Sequence, residues 1–319
     1  MNNQKKHIKT EFVECPFCNK DEFTVFTKGY DYECEVSDDE FQIVKCKNCS
    51  LLRLNPRPIK DELLYIYSKK YNAYNFENKL SRFMQSIRFV YLKNRVNKLN
   101  KFLGVNANIL EGGCGDGEFL LLIRKYGQKD WKLFGNDIVN IAEKKFNSND
   151  IKFIEGRFED IIFNKGKWDT IILKDVLEHL ENPDKVIKNA ATLLRSEGIL
   201  LIEIPNPEGW DAKLFKEKYW AGWHFPRHWT IYSPNQIKKQ LNKYGFEIIN
   251  IEPIMSPVSW LYSIKYKLRY SKYFYKIAFL FDEKYLFSTM VFYFVNVIQI
   301  IITRRTSNIR IFAKKTKQE

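Results

Sequence analysis

Asn108-Ile109-Leu110-Glu111-Gly112-Gly113-Cys114-Gly115-Asp116-Gly117-Glu118 decides the reading of this chain. An apolar run ends in a carboxylate, Glu111. A glycine loop comes next, Gly113-x-Gly115-x-Gly117, and then an apolar-periodic segment from Phe119 to Tyr126. The order predicts a strand, a glycine turn and a helix. Glycine lets the backbone turn at positive φ and come close to a ligand. The loop N–H groups and the helix N-terminus then face that ligand. A glycine loop alone is weak, because such spacings recur without a ligand.

The residues beyond the loop give it weight. A second apolar run, Leu133-Phe134-Gly135-Asn136-Asp137, also ends in an acid, placed to hold ribose hydroxyls. Phe153-Ile154-Glu155-Gly156, Trp168-Asp169-Thr170-Ile171-Ile172-Leu173-Lys174 and Gly198 to Pro205 read as further strands, with helical segments between them. Strands alternating with helices predict a doubly wound α/β sheet with a mostly parallel core. The ligand is expected at the carboxyl ends of the strands, beside strand one.

The order Glu-x-Gly-x-Gly-x-Gly, Gly-x-Asp, Trp-Asp-x-Ile-Ile and Val176-Leu177-Glu178-His179-Leu180 resembles the class I S-adenosylmethionine (SAM) methyltransferases. Within them it resembles the branch of quinone-biosynthesis and sugar methyltransferases. Leu193-Leu194-Arg195-Ser196-Glu197-Gly198 resembles that family's turn before strand five, with Ser196-Glu197 where the family has Pro-Gly. The resemblance covers roughly residues 105 to 252. It implies a Rossmann-like seven-stranded sheet, a SAM cofactor and a methyl transfer. It places Glu111, Gly113, Cys114, Gly115, Gly117, Asp137, Ile138, Phe158 and Lys174 around the cofactor. After strand three the family has Gly-Asp, whose acid meets the adenine amino group. Here Gly156-Arg157-Phe158-Glu159 stands instead, and arginine accepts no hydrogen bond. Phe158 is left to stack on adenine, and Glu159 or a backbone carbonyl to take the amino group.

A nicotinamide enzyme is the competing reading of the loop. Its fingerprint, Gly-x-Gly-x-x-Gly, differs from the spacing here, and Glu111 would oppose a pyrophosphate. A cationic sulfonium with an amino-acid tail suits an acid better.

Two Cys-x-x-Cys knuckles, Cys15/Cys18 and Cys46/Cys49, stand 27 residues apart. Four thiolates in that pattern predict a closed, structural zinc ribbon over residues 1–56. Disulfides are the alternative, but nothing in the polar stretch from Met1 to Glu14 resembles a secretory signal, and a cytoplasmic setting is expected. Residues 57–104 are expected to form a helical linker packing on the catalytic domain. Leu80, Phe83, Met84, Ile87, Tyr91, Val96, Leu99 and Leu103 lie there at helical spacing. Residues 105–319 are then the methyltransferase domain.

The chain holds four histidines. His179 follows strand four. His224 and His228 lie in Trp220-Ala221-Gly222-Trp223-His224-Phe225-Pro226-Arg227-His228-Trp229, after strand five. His228 is the expected general base and His179 the second candidate. Trp223, His224 and Arg227 are expected to contact the acceptor, since aromatic faces stack on sugars and arginine pairs with phosphate. The bland alternative is a packed lid. Ser233-Pro234-Asn235-Gln236 reads as a helix start, with a capping serine and glutamine at the third position.

The formal net charge is +14, which suggests an anionic partner or a lysine-rich background. An RNA methyltransferase gripping RNA through the ribbon and a basic insert is one alternative. A non-catalytic SAM-fold module on a membrane surface is another. The acidic residues Asp31, Glu33, Glu35, Asp38, Asp39 and Glu40 in the ribbon are expected to repel phosphates. The insert, residues 254–303, stands where the family has a short loop. Leu286 to Ile302 is an apolar run of 17 residues that includes Asn296 and Gln299. A span needs about 20 residues. The insert is therefore expected to lie on the inner membrane face, to cap the pocket or to make a dimer contact. The acceptor, a small molecule or a glycan, and the atom methylated stay open at this point.

Overall fold

The computed structural model describes residues 5–67, 82–161 and 166–316. They form two compact units that interleave along the chain. One holds Met1–Lys79, Pro205–Gln236 and Glu252–Ile309; the other holds Leu80–Ile204, Ile237–Ile251 and Arg310–Glu319. This division differs from the expected one at residues 56 and 104. The ribbon does not stand alone: it shares its unit with the stretch after strand five and with most of the insert.

The second unit is built on a seven-stranded sheet. Its strands are β1 (Asn108–Gly112), β2 (Lys132–Asp137), β3 (Ile151–Glu155), β4 (Trp168–Lys174), β5 (Leu194–Pro205), β6 (Phe246–Ile254) and β7 (Asn308–Lys315). The spatial order is β6-β7-β5-β4-β1-β2-β3. The pairs β5/β4, β4/β1, β1/β2 and β2/β3 are parallel. The first three strands run outward one way from β1, and β4 and β5 the other way. The crevice of such a sheet opens at that reversal, beside β1. Six of the seven residues of β4 are buried, which is why it reads as a continuous apolar run rather than an alternating one.

Helix α1 (Arg82–Phe102) packs Leu92, Val96 and Leu99 into one core with Ile109, Leu133 and Ile172 of the sheet. Leu103, just past it, joins them. Of the residues that suggested this helix, Leu80 lies outside the described residues, as do the side chains of Phe83, Met84, Ile87 and Tyr91. Helix α2 (Glu118–Tyr126) adds Phe119, Leu120, Leu122 and Ile123 to the core, at the i, i+3, i+4 spacing of a one-sided helix. Helix α3 (Glu143–Asn147) lies between β2 and β3, and α4 (Pro183–Leu193) precedes β5. In α4 the Asn182 side chain accepts from the Lys185 N–H at 2.9 Å and proline takes the first helical position. Helix α5 (Pro234–Lys243) starts with the expected reciprocal cap. Ser233 Oγ accepts from the Gln236 N–H, and Gln236 Oε1 accepts from the Ser233 N–H at 2.9 Å.

The first unit centres on an antiparallel sheet ordered Thr230–Ile231, Leu52–Leu54, Phe41–Cys46, Phe23–Gly29. The stretch between the knuckles supplies its two longest strands, which pair antiparallel. The fourth comes from far along the chain: Thr230 and Ile231 pair with Arg53 and Leu52. Helices α6 (Pro257–Arg269) and α7 (Leu286–Ile302) complete the unit. Trp260 and Tyr266 of α6 share a core with Ile43, Trp220, Trp223 and Trp229.

Candidate functional site

In the second unit, the carboxyl ends of β1 and β2 carry the glycine loop and Asp137. Gly113, Gly115 and Gly117 have φ of 65°, 54° and 74°. At Gly117 a Cβ would sit 2.0 Å from Phe146, so the left-handed turn and the packing both demand glycine. At Gly115 a Cβ would meet nothing within 4 Å. The backbone there faces open space, the cradle a ligand needs.

Asp137 closes the loop. Its Oδ2 accepts from the Gly115 N–H at 2.8 Å and its Oδ1 from the Ile138 N–H at 2.7 Å. Burial raises its pKa, and these N–H bonds oppose the rise. A carboxylate offers about four lone-pair positions, so these bonds do not use all of its capacity. Ile138 is 37% exposed beside it, an apolar surface of the kind a purine ring covers.

Glu111 is fully buried, and neither carboxylate oxygen has a hydrogen-bond partner. Burial pushes its pKa up to about 7; Lys174 and Arg95 pull it down, while Glu203 and Asp116 push it further up. A buried acid without a partner is costly. An ammonium group is the partner its chemistry lacks, and SAM carries one. The open cradle, the ribose-directed acid and the unpartnered glutamate together fit that cofactor.

Other expected contacts are placed differently. Cys114 turns its thiol into the core, and burial pushes that thiol up. Its N–H bonds to the Asn136 carbonyl and its carbonyl accepts from the Gly117 N–H, so it shapes the loop rather than offering a contact. Phe158 is buried, with its ring over Gly112, where a Cβ would come within 2.5 Å of it. Glu159 is not available for an adenine amino group: it pairs with Arg157 and accepts from the Asn182 N–H at 2.8 Å. Arg157, the departure from the family pattern, also reaches Glu181 at 3.2 Å, so it ties this loop down. Glu203, at the end of β5, lies between Arg95 and Arg310 in a buried ion triad. Burial opposes its charge, but the two guanidinium groups outweigh burial and hold its pKa below the usual range. A carboxylate so held is a poor proton acceptor.

Sequence reasoning missed Asn136. Its Nδ2 donates to the carbonyls of Ile154 and Gly156, both at 2.8 Å, which ties the tips of β2 and β3 together. The signal was the Asn-Asp pair at the strand end, where only the acid was used.

His179 ends the 3₁₀ turn Leu177–His179 after β4 in the second unit. Next to it Glu178 is buried, and burial, with Asp175 adding to it, raises its carboxyl well above the usual range.

His228 belongs to the first unit. Its Nδ1–H donates to the Gly222 carbonyl at 2.8 Å. In the neutral ring that bond places the proton on Nδ1 and makes Nε2 the acceptor nitrogen. The His224 ring stands 4.8 Å away.

The three expected acceptor contacts have internal tasks instead. The Arg227 guanidinium is buried and grips both oxygens of Asp31 at 2.9 and 3.1 Å, with further bonds to the carbonyls of Phe225 and Ile66. Burial opposes its charge, but Asp31 holds it protonated. Trp223 is buried against Trp220, and its Nε1 donates to the Lys216 carbonyl. His224 pairs with Glu33 at 2.8 Å. The acidic run is paired within its own unit. Asp31, Glu33, Glu35, Asp38, Asp39 and Glu40 pair with Arg227, His224, Arg269, Lys5, His7 and Lys28. Most of these partners lie far away in sequence, so pattern reading could not find them.

The two knuckles share one backbone design. The Asn19 N–H bonds to the Cys15 carbonyl and the Ser50 N–H to the Cys46 carbonyl, at 2.8 and 2.9 Å. Both turning residues are left-handed, with φ of 54° and 62°. The Cys15–Cys49 and Cys18–Cys46 sulfurs lie 3.5 and 3.6 Å apart, and all four fall within 4.8 Å of one another. Sulfurs at about 2.3 Å from a tetrahedral zinc stand roughly 3.8 Å apart, whereas a disulfide needs about 2.05 Å. The cluster fits zinc. Burial works against the Cys46 thiolate, but the N–H groups of Cys49 and Asn48 outweigh it and bring that thiol down to about 7.

Several known proteins are similar to this chain. Over 140 residues the chain is 29% identical to an uncharacterized protein of Methanocaldococcus jannaschii, covering 44% of this chain and 64% of that one. Over 169 residues it is 25% identical to the sarcosine/dimethylglycine N-methyltransferase of Halorhodospira halochloris, covering 50% and 58%. The chain thus spans about three-fifths of the length of these two relatives. A ubiquinone biosynthesis O-methyltransferase of Rickettsia canadensis is 26% identical over 180 residues, covering 52% and 74%. A solved SAM-dependent methyltransferase of Archaeoglobus fulgidus shares 19% identity at a TM-score of 0.45, covering 71% and 94%. Residues 84–251 match the family described as Methyltransferase domain, and the chain belongs to that family.

Proposed function

We propose that this protein transfers a methyl group from SAM to a small-molecule or glycan acceptor, nucleotide- and lipid-linked sugars included. One observation carries the reading: an open glycine cradle at Gly115 lies in the same loop cluster as Asp137 and the unpartnered, buried Glu111. In this reading Glu111 takes the ammonium group of the cofactor, Asp137 the ribose, and Ile138 the purine side. Bound there, SAM supplies a methyl group on a sulfonium that is already a good leaving group. The chain has to align donor and acceptor, exclude water and take a proton. His228 is suited to the last task, because its Nδ1–H is held by Gly222 and its Nε2 is the basic nitrogen. His179 is the second candidate. Arg227 supports this segment through Asp31 and is no longer assigned to the acceptor.

In the same reading zinc closes the four-cysteine cluster and stabilises the first unit, with no catalytic role, since four protein ligands leave no open position. An RNA acceptor is the weaker alternative. The internal pairing of the acidic run removes one objection to it, but among the described residues nothing favours it. The test is incubation of the full chain with labelled SAM and fractionated extract. The product is expected in the small-molecule, glycan or lipid fraction. Label confined to RNA would replace the acceptor class. SAM bound without transfer to any fraction would favour a non-catalytic module.

A further inference from the structure

Helix α7 is built inside out. Its 17 residues carry no charge. Its buried side chains are polar: Ser288, Thr289, Asn296 and Gln299. Asn296 Oδ1 accepts from the Ser256 N–H at 2.7 Å, and Gln299 Oε1 accepts from Trp260 Nε1 at 3.2 Å. The opposite face, within about 120° at 3.6 residues per turn, holds Phe287, Met290, Val291, Phe294 and Ile301. They are 82, 48, 42, 65 and 77% exposed. A helix on a water-facing surface shows the reverse arrangement. The segment before α7 continues the exposure with Tyr273, Phe274, Phe279 and Leu280. An apolar display of this extent marks an interaction surface.

Cations bracket the face. Lys272, Lys276 and Lys284 precede it, Arg304 and Arg305 follow it, and all five are exposed. The two acids nearby point inward. Asp282 pairs with Lys265 at 2.8 Å, and buried Glu283 accepts from the Tyr262 hydroxyl at 2.6 Å. No single described helix is long and apolar enough to cross a membrane, and α7 meets the preceding Tyr275–Phe281 turn at 70°.

We propose that this face seats on an anionic lipid bilayer, with its aromatic and aliphatic side chains at the acyl boundary and the flanking cations at the headgroups. Charge complementarity selects this partner. Pairing with a second copy through the same patch would bring the same cations together. The polar face, already satisfied inside the unit, keeps the helix flat on the surface.

The test sediments the full chain with vesicles of phosphatidylcholine alone and with phosphatidylglycerol added. Phosphatidylglycerol is expected to tighten binding about tenfold or more, and salt to weaken it. Phe287→Ser with Phe294→Ser is expected to lower binding about a hundredfold. Lys284→Gln with Arg305→Gln is expected to lower it about tenfold or more. All four positions are exposed, and circular dichroism checks that both variants fold. If the serine pair nevertheless misfolds, the charge pair carries the test through its loss of phosphatidylglycerol preference. The proposal is overturned by absence of sedimentation with either vesicle. It is also overturned by wild-type binding in a folded variant pair, or by a concentration-dependent dimer that the serine pair abolishes while vesicles bind nothing.

Discussion

The two units of this chain are assembled in opposite ways. The sheet unit takes its glycine loop, Asp137 and core helices from one nearly continuous stretch, Leu80–Ile204. The ribbon unit draws on three separated stretches and joins them by buried charge. Asp31 meets Arg227 across 196 residues, and Thr230–Ile231 adds an edge strand to the ribbon's hairpin. Local order in the first case, and long-range pairing in the second, decide what a reader of the sequence can find. They also predict that the two units fail for different reasons.

The largest expected effect is loss of the metal that the four-cysteine cluster fits. Structural zinc in small four-cysteine sites contributes about 10 kcal/mol or more of folding free energy. Cys18→Ser, or a strong chelator, should unfold the first unit, seen as a change in the fluorescence of Trp220, Trp223 and Trp229. The sheet unit should keep its circular-dichroism signature and its SAM affinity. Simultaneous loss of both would show that the units share one folding transition, and an unchanged spectrum would show that no metal supports the ribbon.

Next comes the proposed base. His228→Ala is expected to lower turnover by about 10² to 10⁴ with SAM affinity nearly intact. A loss below about threefold returns His228 to a packing role. If His179→Ala alone removes turnover, the assignment of the two histidines is reversed.

The buried ion pair of the ribbon unit is the third test. Arg227 and Asp31 side chains are both 0% exposed. Removing one partner leaves an uncompensated buried charge, so Arg227→Ala is expected to cost about 3–5 kcal/mol of stability. Adding Asp31→Ala should recover a good part of that cost, which thermal or denaturant unfolding of the single and double variants measures. A small cost for Arg227→Ala would revive it as a residue that contacts the acceptor.

These contrasts explain how much was legible. The strand–loop–helix unit was, because glycine spacing, an acid at a strand tip and the i, i+3, i+4 period of α2 are local rules. The knuckles were legible for the same reason. The acidic run was misread because charge in a sequence carries no information on its partners. Arg227 was assigned to an acceptor although a distant aspartate claims it. The insert's apolar run was visible, but not which way it faces. Its Asn296 and Gln299 counted against a span, and their inward placement shows why they are there. In the sheet unit the same blindness hid the clamp of Arg95 and Arg310 on Glu203, three residues far apart in the chain.

A smaller effect is pH dependence at Glu111. Its carboxyl titrates at about 7 in the ligand-free protein, above its ordinary 4.5, because burial disfavours the charge. The folded state therefore holds this proton longer than the unfolded chain. The stability it contributes is full below about 4.5 and is lost as pH rises through about 7, a change of up to roughly 3 kcal/mol. SAM affinity should move the other way, rising through the same window as the carboxylate forms to meet the ammonium group. Glu111→Gln should flatten both curves. A SAM affinity independent of pH between about 5 and 7.5, the window of that titration, would remove Glu111 from the cofactor contacts.

The most direct measurement is calorimetric titration of the full chain with SAM and with S-adenosylhomocysteine, set beside Asp137→Ala and Gly115→Arg. One saturable site is expected in the unaltered protein. Both variants are expected to lose binding while their metal content and circular dichroism stay unchanged, since the four-cysteine cluster belongs to the other unit. Absence of heat at millimolar ligand, or binding that survives both substitutions, would contradict the assignment of the glycine cradle to SAM.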